Sequence, residues 1–148
     1  MARKALILAR ELGYPVAMEE VVVEPLVPAA LLEPMDLDTF FERLAQTDGA
    51  VTDRLARLKT EGKILKYLAR IDPPTEPGGA CTVTAGPMEI PLEHPATRLR
   101  GSEAFVAFTT ERYADYPLIV QGSGAGGAVT AAGVLADVLR VAQSLRGR

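Results

Sequence analysis

Gly122, Gly124, Gly126 and Gly127 put four glycines into six residues, directly after the apolar segment Pro117-Leu-Ile-Val-Gln121 and before an alanine-rich stretch. Without Cβ atoms, the backbone of such a loop can come close to a ligand or to another chain segment. A helix N-terminus just beyond it favours an anion through its N–H groups. Gly122, Gly124 and Gly127 satisfy G-x-G-x-x-G in a strand–loop–helix setting. With one helix in the sequence beyond Gly127, the run is not expected to open a dinucleotide-binding fold, which needs a further strand and an acidic residue about 20 positions on. A Walker lysine is also missing, because Gly126-Gly127-Ala128 stands where Gly-Lys-Ser/Thr would be. Two readings remain open on spacing alone: a backbone-approach site, or glycines that permit tight strand-to-helix packing.

The elements that must position this loop can be read along the chain. Residues 2–12 have helical composition, with Gly13 where a C-terminal cap belongs and nothing to cap the start. Val21-Val22-Val23 is a β-branched run that ends at Pro25 and Pro28. Asp36 and Thr39 can cap a helix over about 37–46, with Thr39-x-x-Glu42 as a capping box. Val51, Leu55 and Leu58 fall at helical spacing in a second helix that stops at Gly62. Leu65, Tyr67, Ala69 and Ile71 alternate as a strand, 72–79 reads as a hairpin tip, and Cys81, Val83 and Ala85 alternate on the return. Two more strands, 104–109 and 118–121, precede a last helix over about 128–146, whose many valines and leucines predict a wide buried face. This order predicts an α+β fold: a mostly antiparallel or mixed sheet, paired most simply as a meander, covered by helices on one face.

Composition narrows the function classes. A net charge of −3 over 148 residues lacks the clustered basic surface that nucleic acid requires. With 48% apolar and 24% charged residues the chain reads as globular rather than disordered. The lone Cys81 excludes an internal disulfide and a Cys-based zinc site, and fits a reducing cytoplasm. No apolar stretch is read as approaching the ~20 residues of a membrane span. The apolar run after Lys4 is broken by Arg10 and Glu11, so the N-terminus reads as an amphipathic helix rather than a signal peptide.

The wording of the sequence carries more than its pattern. The run Gly122-Ser-Gly-Ala-Gly-Gly-Ala-Val-Thr-Ala-Ala-Gly-Val-Leu-Ala-Asp137, preceded by Pro-Leu-Ile-Val-Gln, resembles the C-terminus of homoserine dehydrogenases. The likeness covers the stand-alone fungal type and the bifunctional aspartokinase–homoserine dehydrogenases. It extends to Leu99-Arg-Gly-Ser-Glu103, Gly62-Lys-Ile-Leu-Lys-Tyr67, Glu24-Pro-Leu-Val-Pro28 and Ala2-Arg-Lys4 with its helix. The resemblance implies NAD(P)-dependent interconversion of L-homoserine and L-aspartate 4-semialdehyde, on the route to threonine and methionine. It implies a substrate and dimerisation domain over 1–121, N-terminally truncated. Residues 122–148 would then be a glycine loop and a helix returning to a nucleotide-binding domain that lies outside the chain. A homodimer is the implied assembly.

Two site residues carry over by matching the family's motifs. Lys4 matches the lysine that exchanges a proton with the substrate oxygen, a role that needs burial or a cationic neighbour to lower its pKa. Ile7 and Leu8, on the same helix face, are expected to supply some of that burial. Gly126, with Gly124 as its companion, matches the glycine that lies against the nicotinamide cofactor. No metal ligand is assigned, and His94 and Cys81 match no family site. The family's aspartate four residues before the lysine would fall just before Met1. The ribose-reading residues would lie upstream, which leaves NAD or NADP open. The alternative to an enzyme part is a non-catalytic dimerisation or interaction module. A weaker third is a phosphate-binding module acting through residues 122–127.

Overall fold

Two long strands organise the first half of the computed structural model, which describes residues 1–76 and 78–146. Pro77, within the stretch expected as a hairpin tip, and the terminal Gly147 and Arg148 lie outside the described residues. Strands β2 (Lys63–Asp72) and β3 (Thr82–Pro91) pair antiparallel without a break, from Lys63 opposite Pro91 to Asp72 opposite Thr82. The free edge of β3 takes a short parallel strand, β1 (Val22–Val23), giving the order β1-β3-β2. The β-branched run thus becomes a strand, and Glu24 N–H extends the ladder to the Ala85 carbonyl at 2.9 Å.

Helices cover one face of this sheet. Val83 and Ala85, opposite Ile71 and Ala69, turn to that face by alternation. Helix α1 (Ala2–Glu11) lays Ala5, Leu6 and Ala9 on it, and Val16, Val21 and Val83 complete the core. Small residues at positions 5 and 9 let the helix approach closely. Helix α1 has no side-chain cap at its start and ends before Gly13, whose φ is +92°. Cys81 packs half-buried at the margin of this core, where burial and the Asp72 charge push its thiol up.

Helix α2 (Leu37–Ala45) is capped by Asp36, which accepts from the Thr39 N–H at 2.9 Å and from its hydroxyl at 2.7 Å. These two bonds hold the Asp36 carboxyl below its usual range. Thr39 therefore sits inside the helix, and the expected Thr39–Glu42 capping box is replaced by the Asp36 cap. Helix α3 (Asp48–Thr60) ends before Gly62, at φ +66°. It packs on β2 through Leu58, whereas Val51 and Leu55 stay half exposed.

At the far end of the same face, the Glu89 carboxylate accepts from Arg54 Nε at 3.0 Å and Arg57 Nη2 at 2.8 Å. Glu61 accepts from Arg57 at 2.7 Å and from Lys63 at 2.9 Å. Hydrogen bonds from Arg54, then Arg57, hold Glu89 below the usual carboxylate range. Lys63 and Arg57 do the same for Glu61. A depressed folded-state pKa gives stability that is present above the unfolded value, about 4.3 for glutamate. That stability is lost as pH falls through the folded value. The pairs are exposed, so the effect is small and screened by salt. Thermal melts at low ionic strength should show the midpoint falling on acidification below about pH 4.3, with a shallower fall in Glu89→Gln.

A second compact unit covers Pro95–Arg148. Strands β4 (Glu103–Phe108) and β5 (Leu118–Ser123) pair antiparallel, from Glu103 opposite Ser123 to Phe108 opposite Leu118. Helix α4 continues the chain over Gly127–Arg146. The four long strands do not form the expected meander: β3 already has β2 on one edge and β1 on the other, so β4 and β5 make their own sheet. The fold remains α+β, with a mixed sheet and an antiparallel pair.

Helix α4 also corrects two expectations. Its spacing predicts burial on a wide face, yet every described residue in it is exposed, including Val134, Leu135, Val138 and Leu139. By length and composition alone it is long and apolar enough to cross a membrane, where no such stretch is expected from the sequence. Asp137 and Arg140 interrupt the apolar run, which is why the sequence does not read as one continuous segment.

Candidate functional site

Lys4 sits in the first turn of α1, where its N–H donates to the Met1 carbonyl at 3.0 Å. With 3.6 residues per turn, Ala5, Leu6 and Ala9 share the side that meets the sheet, and Lys4, Ile7, Leu8 and Glu11 share the other. Lys4 is exposed, with Ile7 at 59% and Leu8 at 38%. Among the described residues it forms no ion pair. The expected desolvation by Ile7 and Leu8 is therefore not supplied within the unit, because these side chains border Lys4 without covering it. The amine is carried on a helix anchored to the sheet and stands in solvent.

The glycine loop is built on the end of the β4–β5 pair. One residue past the last paired position, Gly124 N–H donates to the Ser102 carbonyl at 2.9 Å. The Ser102 and Ser123 hydroxyls lie 3.3 Å apart, and Ser123 Oγ donates to the Ala125 carbonyl at 3.1 Å. Gly126 then turns with φ +134°, a conformation that L side chains rarely adopt, and helix α4 starts at the next residue. Thr130 N–H donates to the Gly126 carbonyl at 3.0 Å, closing the first helical turn. The N–H groups of that first turn have no intrahelical carbonyl to meet, and the turn carries no acidic residue. A Cβ built at Gly126 would meet nothing within 4 Å. The turn is an open cradle of backbone, kept glycine by its φ angle rather than by crowding. Such a cradle offers its backbone N–H groups to an anion.

Gly124 and Gly126 thus come together in one turn of the second unit, while Lys4 belongs to the first. Surface hollows of about 480 Å³ and 330 Å³ lie elsewhere, the first beside Arg10 and Tyr14, the second beside Leu55, Leu58 and Leu92. Neither is lined by Lys4 or by the glycine loop. Sequence reasoning does not single out Ser102, Ser123 or Ala104, because only the β4–β5 register places them against the loop. His94 precedes a short 3-10 turn, Pro95–Arg98, as expected of a loop histidine before proline.

Comparison with known proteins meets these features. A family model described as homoserine dehydrogenase matches residues 1–139. The chain is 38% identical, over 98% of its length, to the bifunctional aspartokinase/homoserine dehydrogenase 2 of Arabidopsis thaliana, and covers 15% of that protein. It is 36% identical to the homoserine dehydrogenase of Saccharomyces cerevisiae, over 98% of its own length and 39% of the yeast chain. A crystal structure of a Candida auris protein of unknown function superposes with a TM-score of 0.77 at 35% identity, covering 96% of this chain and 38% of that one. The chain therefore spans well under half the length of these relatives. On the match across residues 1–139, the chain belongs to the homoserine dehydrogenase family.

Proposed function

We propose that this chain is the substrate and dimerisation portion of a cytoplasmic homoserine dehydrogenase, interconverting L-homoserine and L-aspartate 4-semialdehyde with NAD(P). The observation that carries this reading is the match over residues 1–139; Lys4 stands on a sheet-anchored helix of the first unit and Gly126 in an open backbone turn of the second. When bound, the nicotinamide supplies a hydride acceptor for the carbinol carbon. The chain's own residues do the rest. Lys4 takes the hydroxyl proton as the carbonyl forms and returns it in the reverse direction. The backbone at Gly126 would help to hold the nicotinamide, and the absence of a side chain there would leave its approach clear. Helix α4, apolar and exposed along its length, is the element that would pack on a nucleotide-binding domain.

The 148 residues alone would then hold only one side of the cofactor site. Isolated chain, assayed for reduced nicotinamide with homoserine and either cofactor, is expected to give no turnover. The same chain joined to the nucleotide-binding domain of a family member is expected to give turnover. Activity in the isolated chain that disappears in Lys4→Ala would overturn the shared-site reading. Inactivity of a folded joined enzyme would instead favour a non-catalytic interaction module, the reading that the exposed α4 face also supports.

A further inference from the structure

Gly124 is crowded where Gly126 is open. A Cβ built at Gly124 would stand 2.9 Å from the Ala104 Cβ and 3.3 Å from the Ser102 carbonyl oxygen. Real Cβ atoms essentially never approach as closely as 2.9 Å, so something must shift. The neighbour is itself a Cβ on a paired strand and has no rotamer with which to move aside. The start of β4 is also held in place. Glu103 accepts from Arg100 N–H at 2.8 Å and from Gln121 Nε2 at 3.2 Å. The turn at 123–125 is strapped to that same point by the Gly124 to Ser102 bond and the paired Ser102 and Ser123 hydroxyls.

We propose that Gly124 is a positioning residue: it lacks a side chain because Ala104 occupies that space, and its close seating on β4 sets where Gly126 and the first turn of α4 present their backbone groups. The glycine is required by the strand beneath the loop rather than by the ligand above it. The functional consequence rests on the reading that this turn serves a nicotinamide cofactor; the conformational one does not.

Three variants of the full chain test it: Gly124→Ala, Ala104→Gly, and the two together. The first readout is the amide resonances of Gly126 and Thr130, with those of β2 as a folding control. Gly124→Ala should displace the Gly126 and Thr130 signals while β2 is unchanged, and adding Ala104→Gly should return them toward the parent. The remaining 3.3 Å approach to Ser102 can be relieved by a shift of a few tenths of an ångström. Unmoved signals in Gly124→Ala, or displaced signals that Ala104→Gly fails to return, would overturn the proposal.

The second readout uses the chain joined to a nucleotide-binding domain. Gly124→Ala should raise the cofactor KM roughly 10- to 100-fold, the scale of a misplaced binding group, with a smaller change in kcat. The double variant should recover most of it. Recovered amide signals without recovered cofactor KM would mean that Gly124 touches the cofactor itself, and the positioning role would fall. A joined parent enzyme without any activity would remove the dehydrogenase reading, while restored amide signals would still establish the Gly124–Ala104 fit.

Discussion

Lys4→Ala, in an enzyme assembled from this chain and a nucleotide-binding domain, is expected to lower kcat roughly 10²- to 10⁴-fold, the usual contribution of a positioned proton-transfer group. The KM for homoserine should change far less. Hydride can leave the carbinol carbon only as the hydroxyl proton is taken, and Lys4 is the residue proposed to take it. Its exposed place opposite the sheet-packed side of α1 means that its removal disturbs no core contact. The thermal midpoint of the chain should therefore stay unchanged, which separates loss of chemistry from loss of fold. Lys4→Arg sharpens the test. Arginine keeps the positive charge but does not give up its proton in proteins, so a base role predicts an arginine variant nearly as impaired as the alanine one. An arginine variant with more than about a tenth of parental kcat would reassign Lys4 to charge stabilisation, because general-base catalysis alone is worth more than that factor.

Leu58→Ala is expected to destabilise the first unit by about 2–5 kcal/mol, the range for large-to-small changes in a packed core. Leu58 is 1% exposed, and with Val83 it is among the largest fully buried side chains. It is the buried contact by which α3 holds to β2, the strand that carries the whole β2–β3 ladder. Domain stabilities run to only about 5–15 kcal/mol, so a loss of this size should be plain in urea unfolding. Leu55, one turn earlier and 46% exposed, provides the contrast. Leu55→Ala should cost clearly less, because less apolar surface is returned to water. Equal midpoints for the two variants would show that the seam between α3 and the sheet is not where the unit is held together.

Much of the local structure is legible residue by residue. Helix α1 ends before Gly13 and α3 before Gly62 because both glycines adopt positive φ, which a side chain resists. The alternation of Leu65 to Ile71 and of Cys81 to Ala85 matches strands β2 and β3 because period-2 patterning comes directly from the pleat. The meander fails for a reason of partnership. Nothing in Val21-Val22-Val23 says that it will occupy the edge of β3, some sixty residues on, and once it does, β3 has no edge left for β4 to continue a meander. The buried α4 face fails for a related reason. Apolar spacing reports that a helix is suited to a cover, not that the same chain provides one.

The candidate site divides along the same line. The sequence by itself determined the family, the glycine turn and the lysine at the head of a helix, because these depend on residue identity and short-range order. Only the tertiary structure decided that Lys4 stands on the exposed side of α1, and that Gly126 is open while Gly124 is closed off by Ala104. Two glycines two residues apart look equivalent in a string. They differ once the β4–β5 register sets a methyl group beneath one and leaves the other over empty space, since a missing Cβ acquires meaning only from what would have met it.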